Sequence, residues 1–278
     1  MSKVWLVTGA GSGIGAATAR AALKASERVV ATGRNLDKVR NELRDVAGER
    51  LSFVQLDVTK EIQAKAAVAS AIKAYGRIDV LVNNAGYSLL GNFEELSASE
   101  IEGLIATNFY GVAHAMRAVL PVMRQQRSGL IINVSSLAGI VGFKHCGGYS
   151  AAKFAVEGLS ASVAPEVEPF GIKIVAVEPG FFRTDLLDSN NAKYANSSIE
   201  DYAAEGKAEA MWSGYHGTQQ GDPARLGDVL VKIAGMNNPP AQFVAGSDAL
   251  AVVKPALEAR LEELRTCEHL SKSTDGSF

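Results

Sequence analysis

The sequence contains little cysteine and little histidine. Its 278 residues include two cysteines, Cys146 and Cys267, which lie far apart and form no CxxC pattern. No disulfide framework can be read from them, so we expect a reducing, cytoplasmic setting. None of the 4 histidines has metal-ligand spacing to another histidine or to a cysteine. We therefore expect no metal site.

Excess charge and long apolar runs are also missing. The formal net charge is -2, which gives no electrostatic reason to expect a nucleic acid or an acidic membrane as a partner. No stretch approaches the ~20 apolar residues that a membrane span requires. The apolar run Val4–Val7 is too short for the core of a signal peptide. With 47% hydrophobic and 21% charged residues, the composition is typical of a soluble globular protein.

What the sequence does contain is an alternation of short apolar runs with longer, helix-length segments. The runs are often β-branched and nearly uniformly apolar, as strands buried on both faces are. They span Val4–Thr8, Arg28–Thr32, Leu51–Leu56, Val80–Asn83, Leu130–Ser135, Lys173–Val177 and Gln242–Ala245. The longer segments span Gly13–Ala25, Leu36–Ala47, Ile62–Ala74, Ala98–Arg124, Tyr149–Glu168, Pro223–Gly235 and Asp248–Glu268.

This alternation predicts the fold class. Strand and helix in turn indicate βαβ units and a parallel sheet, and right-handed crossovers place helices on both of its faces. We therefore predict an α/β fold with a doubly wound, parallel, seven-stranded sheet of the Rossmann type. The alternative is an all-helical protein with buried linkers. Turn residues flank the β-branched runs at regular intervals, which disfavours that alternative.

A glycine-rich turn follows the first strand and leads directly into a helix. Glycines permit positive φ in a tight turn and allow a pyrophosphate to approach the backbone, and the helix start offers unpaired N–H groups. The alternative is a flexible structural turn, but the position between strand and helix favours phosphate binding. The pattern reads T-G-x-x-x-G-x-G, and the candidate residues are Thr8, Gly9, Ser12, Gly13, Ile14 and Gly15.

Tyr149 and Lys153 are four residues apart, so they share one face if the segment is helical. A nearby ammonium stabilises a phenolate and lowers the pKa of the phenol, which would make this pair a usable proton shuttle. Alone, the spacing also fits an ordinary surface pair. Ser136, thirteen residues upstream at the end of a predicted strand, strengthens the functional interpretation because ligands of parallel sheets bind at the carboxyl ends of the strands.

Taken together, these motifs resemble those of the short-chain dehydrogenase/reductase family over about residues 3 to 250. Besides the glycine turn and the Tyr–Lys pair, they include Asp57-Val58, Asn83-Asn84-Ala85-Gly86, Thr107-Asn108, Ser135-Ser136, and Pro179-Gly180 followed by Thr184. The resemblance implies four catalytic residues. Tyr149 would be the general acid and base, Lys153 would lower its pKa and bind the nicotinamide ribose, Ser136 would polarise the substrate oxygen, and Asn108 would hold a water of a proton relay.

The resemblance also implies a dinucleotide site. Asp57 and Val58 would flank the adenine, and the loop containing Asn84, Ala85 and Gly86 would close over the adenosine. The loop containing Pro179, Gly180, Phe182 and Thr184 would hold the nicotinamide carboxamide. Phe182 is bulkier than the aliphatic residue usual at its position.

The end of the second strand indicates which dinucleotide binds. NAD-dependent enzymes place an acidic residue there to bind the ribose hydroxyls. Here Gly33 occupies that position and Arg34 follows. No carboxylate would repel a 2′-phosphate and a guanidinium is available to bind it, so we predict NADP(H). The alternative is that Arg34 is a solvated loop residue.

The sequence thus predicts one catalytic, dinucleotide-binding domain over residues 1–270, with a substrate lid near 185–221 and a flexible tail at 271–278. Five large side chains of the lid could cover an apolar substrate, or could serve ordinary packing or an oligomer contact: Tyr194, Tyr202, Met211, Trp212 and Tyr215. The expected reaction interconverts an alcohol and a carbonyl compound, and a homodimer or homotetramer is expected. The alternatives are an NAD(H)-preferring alcohol dehydrogenase, a non-catalytic dinucleotide sensor, and an isomerase or dehydratase.

Overall fold

The computed structural model describes residues 2–188, 192–203 and 206–276. Seven strands form one parallel sheet in the order β3-β2-β1-β4-β6-β7-β9. They are β1 Val4–Val7, β2 Arg28–Gly33, β3 Leu51–Gln55, β4 Val80–Asn83, β6 Gly129–Val134, β7 Ile172–Pro179 and β9 Gln242–Ala245. The fold class predicted from the sequence is confirmed. A separate parallel pair joins β5 Leu89–Leu90 to β8 Lys193–Tyr194.

The helices are α1 Gly13–Lys24, α2 Leu36–Glu42, α3 Glu61–Tyr75, α4 Ala98–Ile105, α5 Gly111–Gln126, α6 Gly147–Val167, α7 Glu200–Ala203, α8 Ala208–Ser213, α9 Pro223–Ala234, α10 Ser247–Thr266 and α11 Glu268–Lys272. Two predicted helices differ in detail. The predicted helix Ala98–Arg124 is divided by a π-helical turn at Ala106–Tyr110. The predicted helix Leu36–Ala47 ends at Glu42, and a 3-10 turn, Arg44–Val46, follows.

Alternating side chains of each central strand enter two different cores. On one face, Trp5 and Val7 pack with α1, α2 and α9. On the other face, Leu6 and Leu81 pack with α3, α5 and α6. Since successive strand residues point to opposite sides of a sheet, a uniformly apolar strand has both faces covered. Each fully buried aliphatic side chain contributes roughly 1.5–3 kcal/mol by leaving water.

The strand order reverses between β1 and β4. The chain leaves β1 toward β2 and β3, whereas β4 pairs with the opposite side of β1. The loops after these two strands diverge and leave a crevice at the carboxyl edge of the sheet, where open α/β sheets bind their ligands.

Candidate active site and dinucleotide cleft

A cavity of about 450 Å³ opens at this crevice. Its lining includes most of the residues that the sequence predicted for the cofactor: Gly9, Ser12, Gly13, Ile14, Gly33, Arg34, Asp57, Val58, Asn84, Ala85, Gly86, Pro179, Gly180, Phe182 and Thr184. Three predicted catalytic residues, Ser136, Tyr149 and Lys153, line the same cavity. The remaining three predicted residues, Thr8, Gly15 and Asn108, lie outside the lining.

The glycine turn after β1 has the backbone that close approach of a phosphate requires. Gly9 and Gly13 have φ angles of +66° and +53°, which L-residues with a side chain rarely adopt. Ser12 is the N-cap of α1, but its side chain makes no capping hydrogen bond. The first N–H groups of α1 therefore remain available to an anion, and the positive end of the helix dipole favours one there.

Thr8 and Gly15 do not line the cavity, but they contact the residues that fix the position of this turn. The Thr8 hydroxyl accepts hydrogen bonds from the backbone N–H groups of Asn84 (3.0 Å) and Ala85 (3.1 Å). Asn84 in turn donates through Nδ2 to the carbonyl of Gly9 at 3.1 Å. A Cβ at Gly15 would lie 2.4 Å from Asn84 Nδ2 and 2.5 Å from the Gly9 carbonyl oxygen. These contacts hold the loops after β1 and β4 in a fixed relationship.

The end of β2 carries positive charge and no acid. A Cβ at Gly33 would lie 2.7 Å from Val39 Cγ2, so a side chain at the position where NAD-binding chains place a carboxylate would require Val39 to move. Arg34 and Lys38 both line the cavity. Sequence reasoning found Arg34 but missed Lys38, although its position four residues after Arg34 was a usable signal.

Asp57 lines the cavity and its carboxylate is fixed by hydrogen bonds. Its carboxylate accepts hydrogen bonds from the Thr59 N–H (3.0 Å) and the Thr59 hydroxyl (2.8 Å). Partial burial raises the pKa of Asp57, but these hydrogen bonds and the nearby positive charges of Arg34 and Lys60 outweigh it. The net pKa is lowered, so the carboxylate is ionised at neutral pH.

Tyr149 and Lys153 lie one turn apart on α6 and are 9% and 7% exposed. The Ser136 side chain lies close enough to the Tyr149 hydroxyl to lower the pKa of the phenol, and Ser136 Oγ accepts a hydrogen bond from the Ala138 N–H at 3.1 Å. The Lys153 ammonium donates to the Val134 carbonyl at 2.9 Å and lies 5.7 Å from the centre of the Tyr149 ring. Of the two adjacent serines, Ser136 is therefore the one whose hydroxyl meets the phenol.

The pKa values in this cluster differ from the sequence expectation. Burial raises the pKa of Tyr149 to about 12, against the lowering effect of the Ser136 hydrogen bond. Burial also lowers the pKa of Lys153 to about 8, against the raising effect of Glu157. The sequence predicted that Lys153 lowers the pKa of Tyr149. In this structure burial sets the direction of both pKa shifts, because desolvation disfavours the charged form of each group.

The side-chain amide of Asn108 is hydrogen-bonded to the loop after β4. It is buried in the π-helical turn, where its Oδ1 accepts from the Tyr87 N–H (3.1 Å) and its Nδ2 donates to the Tyr87 carbonyl (2.9 Å). Both ends of the amide are thus engaged with one residue of the loop after β4. The role in a proton relay that the resemblance implied remains a prediction.

Beyond Tyr149 the cavity wall is apolar. Of the five lid residues singled out in the sequence, Trp212 lines the cavity and the others do not. Phe143 and Phe181 join Trp212 in the wall. Sequence reasoning missed both, because only the tertiary fold brings these three side chains together. Among the described residues, no group of three or more His, Cys, Asp or Glu side chains could hold a metal ion. In the same part of the chain, every helix is too short or too polar to cross a bilayer.

The chain matches the family model described as short chain dehydrogenase over residues 3–195. It is 38% identical to 3-ketodihydrosphingosine reductase from Bacteroides thetaiotaomicron over 88% of each chain. It is 36% identical to "Oxidoreductase BOA17" from Botryotinia fuckeliana over 93% of this chain and 94% of the relative. The crystal structure of a short-chain dehydrogenase from Streptomyces avermitilis superposes with a TM-score of 0.90 at 37% identity, covering 99% of this chain and 100% of the other.

Proposed function

The chain belongs to the short-chain dehydrogenase/reductase family, and we propose that it transfers a hydride between NADP(H) and the carbonyl carbon of a small molecule, with Tyr149 as proton donor and acceptor. Members of this family are oxidoreductases that bind a nicotinamide dinucleotide. The observation that carries the proposal is that Tyr149, Ser136 and Lys153 line the same cavity as the glycine turn.

The proton chemistry follows from the surroundings of Tyr149. With a pKa raised to about 12, the phenol is protonated at neutral pH and can donate. A substrate carbonyl oxygen placed between the hydroxyls of Tyr149 and Ser136 receives two hydrogen bonds, which stabilise the negative charge that develops on it. The Lys153 ammonium then stabilises the phenolate left behind. In the direction of oxidation the same groups work in reverse.

The cleft suits a dinucleotide that carries an extra phosphate. The Gly9–Gly13 turn and the N-terminus of α1 would hold the pyrophosphate, and Arg34 with Lys38 would hold the 2′-phosphate. When bound, the nicotinamide supplies or accepts the hydride. The preference for NADP(H) over NAD(H) rests on the two cations and on the close contact with Val39 that an acidic side chain at Gly33 would make.

The Bacteroides relative is named for reduction of a keto group, which supports a carbonyl substrate here. A non-catalytic dinucleotide sensor is the rival proposal. The cluster of Ser136, Tyr149 and Lys153 in one cavity favours catalysis, because a sensor has no need of a buried proton donor.

The test is a screen of NADPH consumption over chemically diverse ketones and aldehydes. We expect turnover by the natural chain and a loss of roughly 10²–10⁴-fold in kcat for Tyr149→Phe, with NADPH binding retained. Tyr75→Phe is the control, since that ring packs beneath Arg28 outside the cavity. Normal turnover by Tyr149→Phe would refute the mechanism, and NADPH binding without turnover of any carbonyl would favour the sensor.

We also propose a homo-oligomer in a reducing compartment. Tyr110, directly before α5, is 52% exposed, and Phe154 on α6 is 42% exposed. Both side chains offer apolar surface to a second copy. Cys146 and Cys267 are both free, as a reducing compartment would leave them. Light scattering after size-exclusion chromatography measures the assembly, and a monomer at all concentrations would refute it.

A further inference from the structure

Most of the charged residues that line the cavity belong to its dinucleotide half. Arg34, Lys38 and Asp57 line the dinucleotide half, and Lys153 stands beside Tyr149. Past Tyr149 the wall is built mainly from Leu90, Leu137, Phe143, Phe181, Leu187 and Trp212. Asp185 is the charged exception, and it is exposed to solvent. A substrate body in this half meets apolar surface, so an ionised group there would lose its hydration without gaining a partner.

The apolar wall is held in shape by ring packing. The Trp212 ring lies 6.1 Å from the Phe181 ring and 6.5 Å from the Phe143 ring, edge-on to the latter. Phe181 also stacks on Tyr215 at 5.0 Å with a 10° angle between the planes, and the Tyr215 ring lies 5.7 Å from the Trp212 ring. Aromatic clusters of this kind favour flat or bulky apolar partners, so the wall suits a ring system better than a short flexible chain.

A neutral amide side chain, that of Gln219, also lines the cavity. Gln219 is 4% exposed, and its Oε1 has no hydrogen-bond partner among the described residues. The indole Nε1 of Trp212 is likewise buried without a partner in the described part of the chain. Buried polar groups are nearly always paired in folded proteins, so the incompletely paired amide of a cavity-lining glutamine is the group that a ligand would satisfy.

The backbone around Gln219 is anchored. Arg183 donates from its guanidinium to the Gln219 carbonyl at 3.1 Å and from its N–H to the Gly221 carbonyl at 2.8 Å. Gly221 in turn donates to the Phe181 carbonyl at 3.0 Å. This segment is therefore fixed to the loop after β7, and the Gln219 amide is presented to the cavity from a defined position.

The geometry points to a substrate class that rests on the proposed function: neutral ketones, or the corresponding alcohols, built on an apolar ring system that carries a second, uncharged hydrogen-bonding group away from the reacting carbonyl. The aromatic wall holds the rings. The Gln219 amide recognises the second group, a hydroxyl being the simplest that can pair with it. Gln219 is thus a specificity residue that does not take part in the proton transfer.

The experiment uses three probes: α-tetralone, a tetralone with a hydroxyl on the ring carbon remote from the carbonyl, and the matching carboxylate. We expect kcat/KM with NADPH to favour the hydroxylated ketone over the parent by about tenfold or more, since a site built to hydrogen-bond a group discriminates strongly against its absence. Gln219→Met should bring that ratio to about one. Gln220→Met, the exposed neighbour, should behave like the natural chain.

Binding is followed separately through tryptophan fluorescence. The chain has two tryptophans, and Trp5 lies in the core at 1% exposure while Trp212 lines the cavity. Quenching by the hydroxylated ketone should therefore disappear in Trp212→Phe and weaken about tenfold in affinity in Gln219→Met. Quenching that depends on Gln219 without turnover would overturn the proposed reaction but support this binding site.

Several results would overturn the substrate class. An unchanged ratio of hydroxylated to parent ketone in Gln219→Met would remove Gln219 from recognition. Equal turnover of the carboxylate would remove the requirement for neutrality. A raised KM for NADPH with both ketones slowed equally would place Gln219 against the cofactor. Absence of both turnover and quenching with every probe would refute the proposal as well.

Discussion

The Lys153 ammonium donates a 2.9 Å hydrogen bond to the Val134 carbonyl and lies 5.7 Å from the centre of the Tyr149 ring. Burial of both side chains moves their pKa values in opposite directions, that of the lysine down to about 8 and that of the phenol up to about 12. The phenol is therefore protonated at neutral pH, whereas the lysine loses its proton at a pH close to neutrality. This combination favours proton donation, which is the step that carbonyl reduction needs.

The first prediction concerns the pH dependence of reduction. Below about pH 8 Lys153 carries the charge that stabilises the phenolate, and above it that charge is lost. We expect kcat for reduction to fall as pH rises through about 8, and Lys153→Met to lose this inflection together with roughly 10²-fold or more in rate. Lys73→Met, on the exposed side of α3, should keep both. An inflection that persists in Lys153→Met would show that another group titrates.

The second prediction concerns cofactor choice. A charge-assisted hydrogen bond contributes about 1.5–3 kcal/mol, which corresponds to roughly 10–100-fold in affinity. Arg34→Ala and Lys38→Ala should each weaken NADPH binding, with the larger loss in the double variant, and leave NADH binding nearly unchanged. Isothermal titration measures both. Arg40→Ala, an exposed residue of α2 paired with Asp37, is the matched control. Equal weakening of NADPH and NADH would contradict the 2′-phosphate assignment.

The third prediction concerns the glycine turn. Gly15→Ala places a Cβ 2.5 Å from the Gly9 carbonyl oxygen, so the turn must shift. Such overpacking costs typically 1–3 kcal/mol, and we expect a lower Tm together with weaker binding of either dinucleotide. Gly158→Ala on α6 meets no atom within 4 Å and should stabilise the helix by roughly 0.5–1 kcal/mol. A Gly15→Ala variant with normal Tm and normal binding would show that the turn tolerates the side chain.

The fourth prediction concerns a buried acid that the proposed mechanism does not use. Glu178 on β7 is fully buried, and neither carboxyl oxygen has a partner among the described residues. Burial, with a further contribution from the charge of Glu157, raises the pKa of Glu178 to about 8. Between about pH 4.5 and pH 8 the unfolded chain has therefore released a proton that the folded chain retains. The contribution of Glu178 to the free energy of unfolding is fully present at the acidic end of that window and is lost as pH rises through 8.

Glu178→Gln replaces the protonated acid with a neutral amide of the same size. The Tm of the variant should equal that of the natural chain near pH 5 and exceed it at pH 8 and above. The expected increase is roughly 2–4 °C for each kcal/mol gained in the free energy of unfolding. The prediction is tested by measuring thermal unfolding at several pH values. Glu258→Gln, on the exposed part of α10, is the control. A pH profile of Tm that is identical in the natural chain and in Glu178→Gln would show that Glu178 is ionised in the fold.

The sequence predicted the sheet well because a strand buried on both faces has a composition that no exposed segment shares. Val80–Asn83 and Gln242–Ala245 were located to the residue. The helix predicted at Ala98–Arg124 was less accurate, since a π-helical turn leaves the apolar pattern continuous and adds no turn residue to signal it. The carboxyl edge of the sheet, where motifs from distant parts of the chain meet, followed from the order of strands and helices alone.

The sequence by itself determined which chemical groups meet: the glycine turn, the cations after β2, and the serine, tyrosine and lysine at the carboxyl edge of the sheet. Local spacing and the handedness of βαβ connections are sufficient for that. Only the tertiary structure decided how those groups behave. The direction of the Tyr149 and Lys153 pKa shifts, the partners of Asn108, and the position of Gln219 in an aromatic wall depend on burial and on contacts between distant segments. Burial sets the free energy of a charge or an unpaired polar group, and it is a property of the packed molecule.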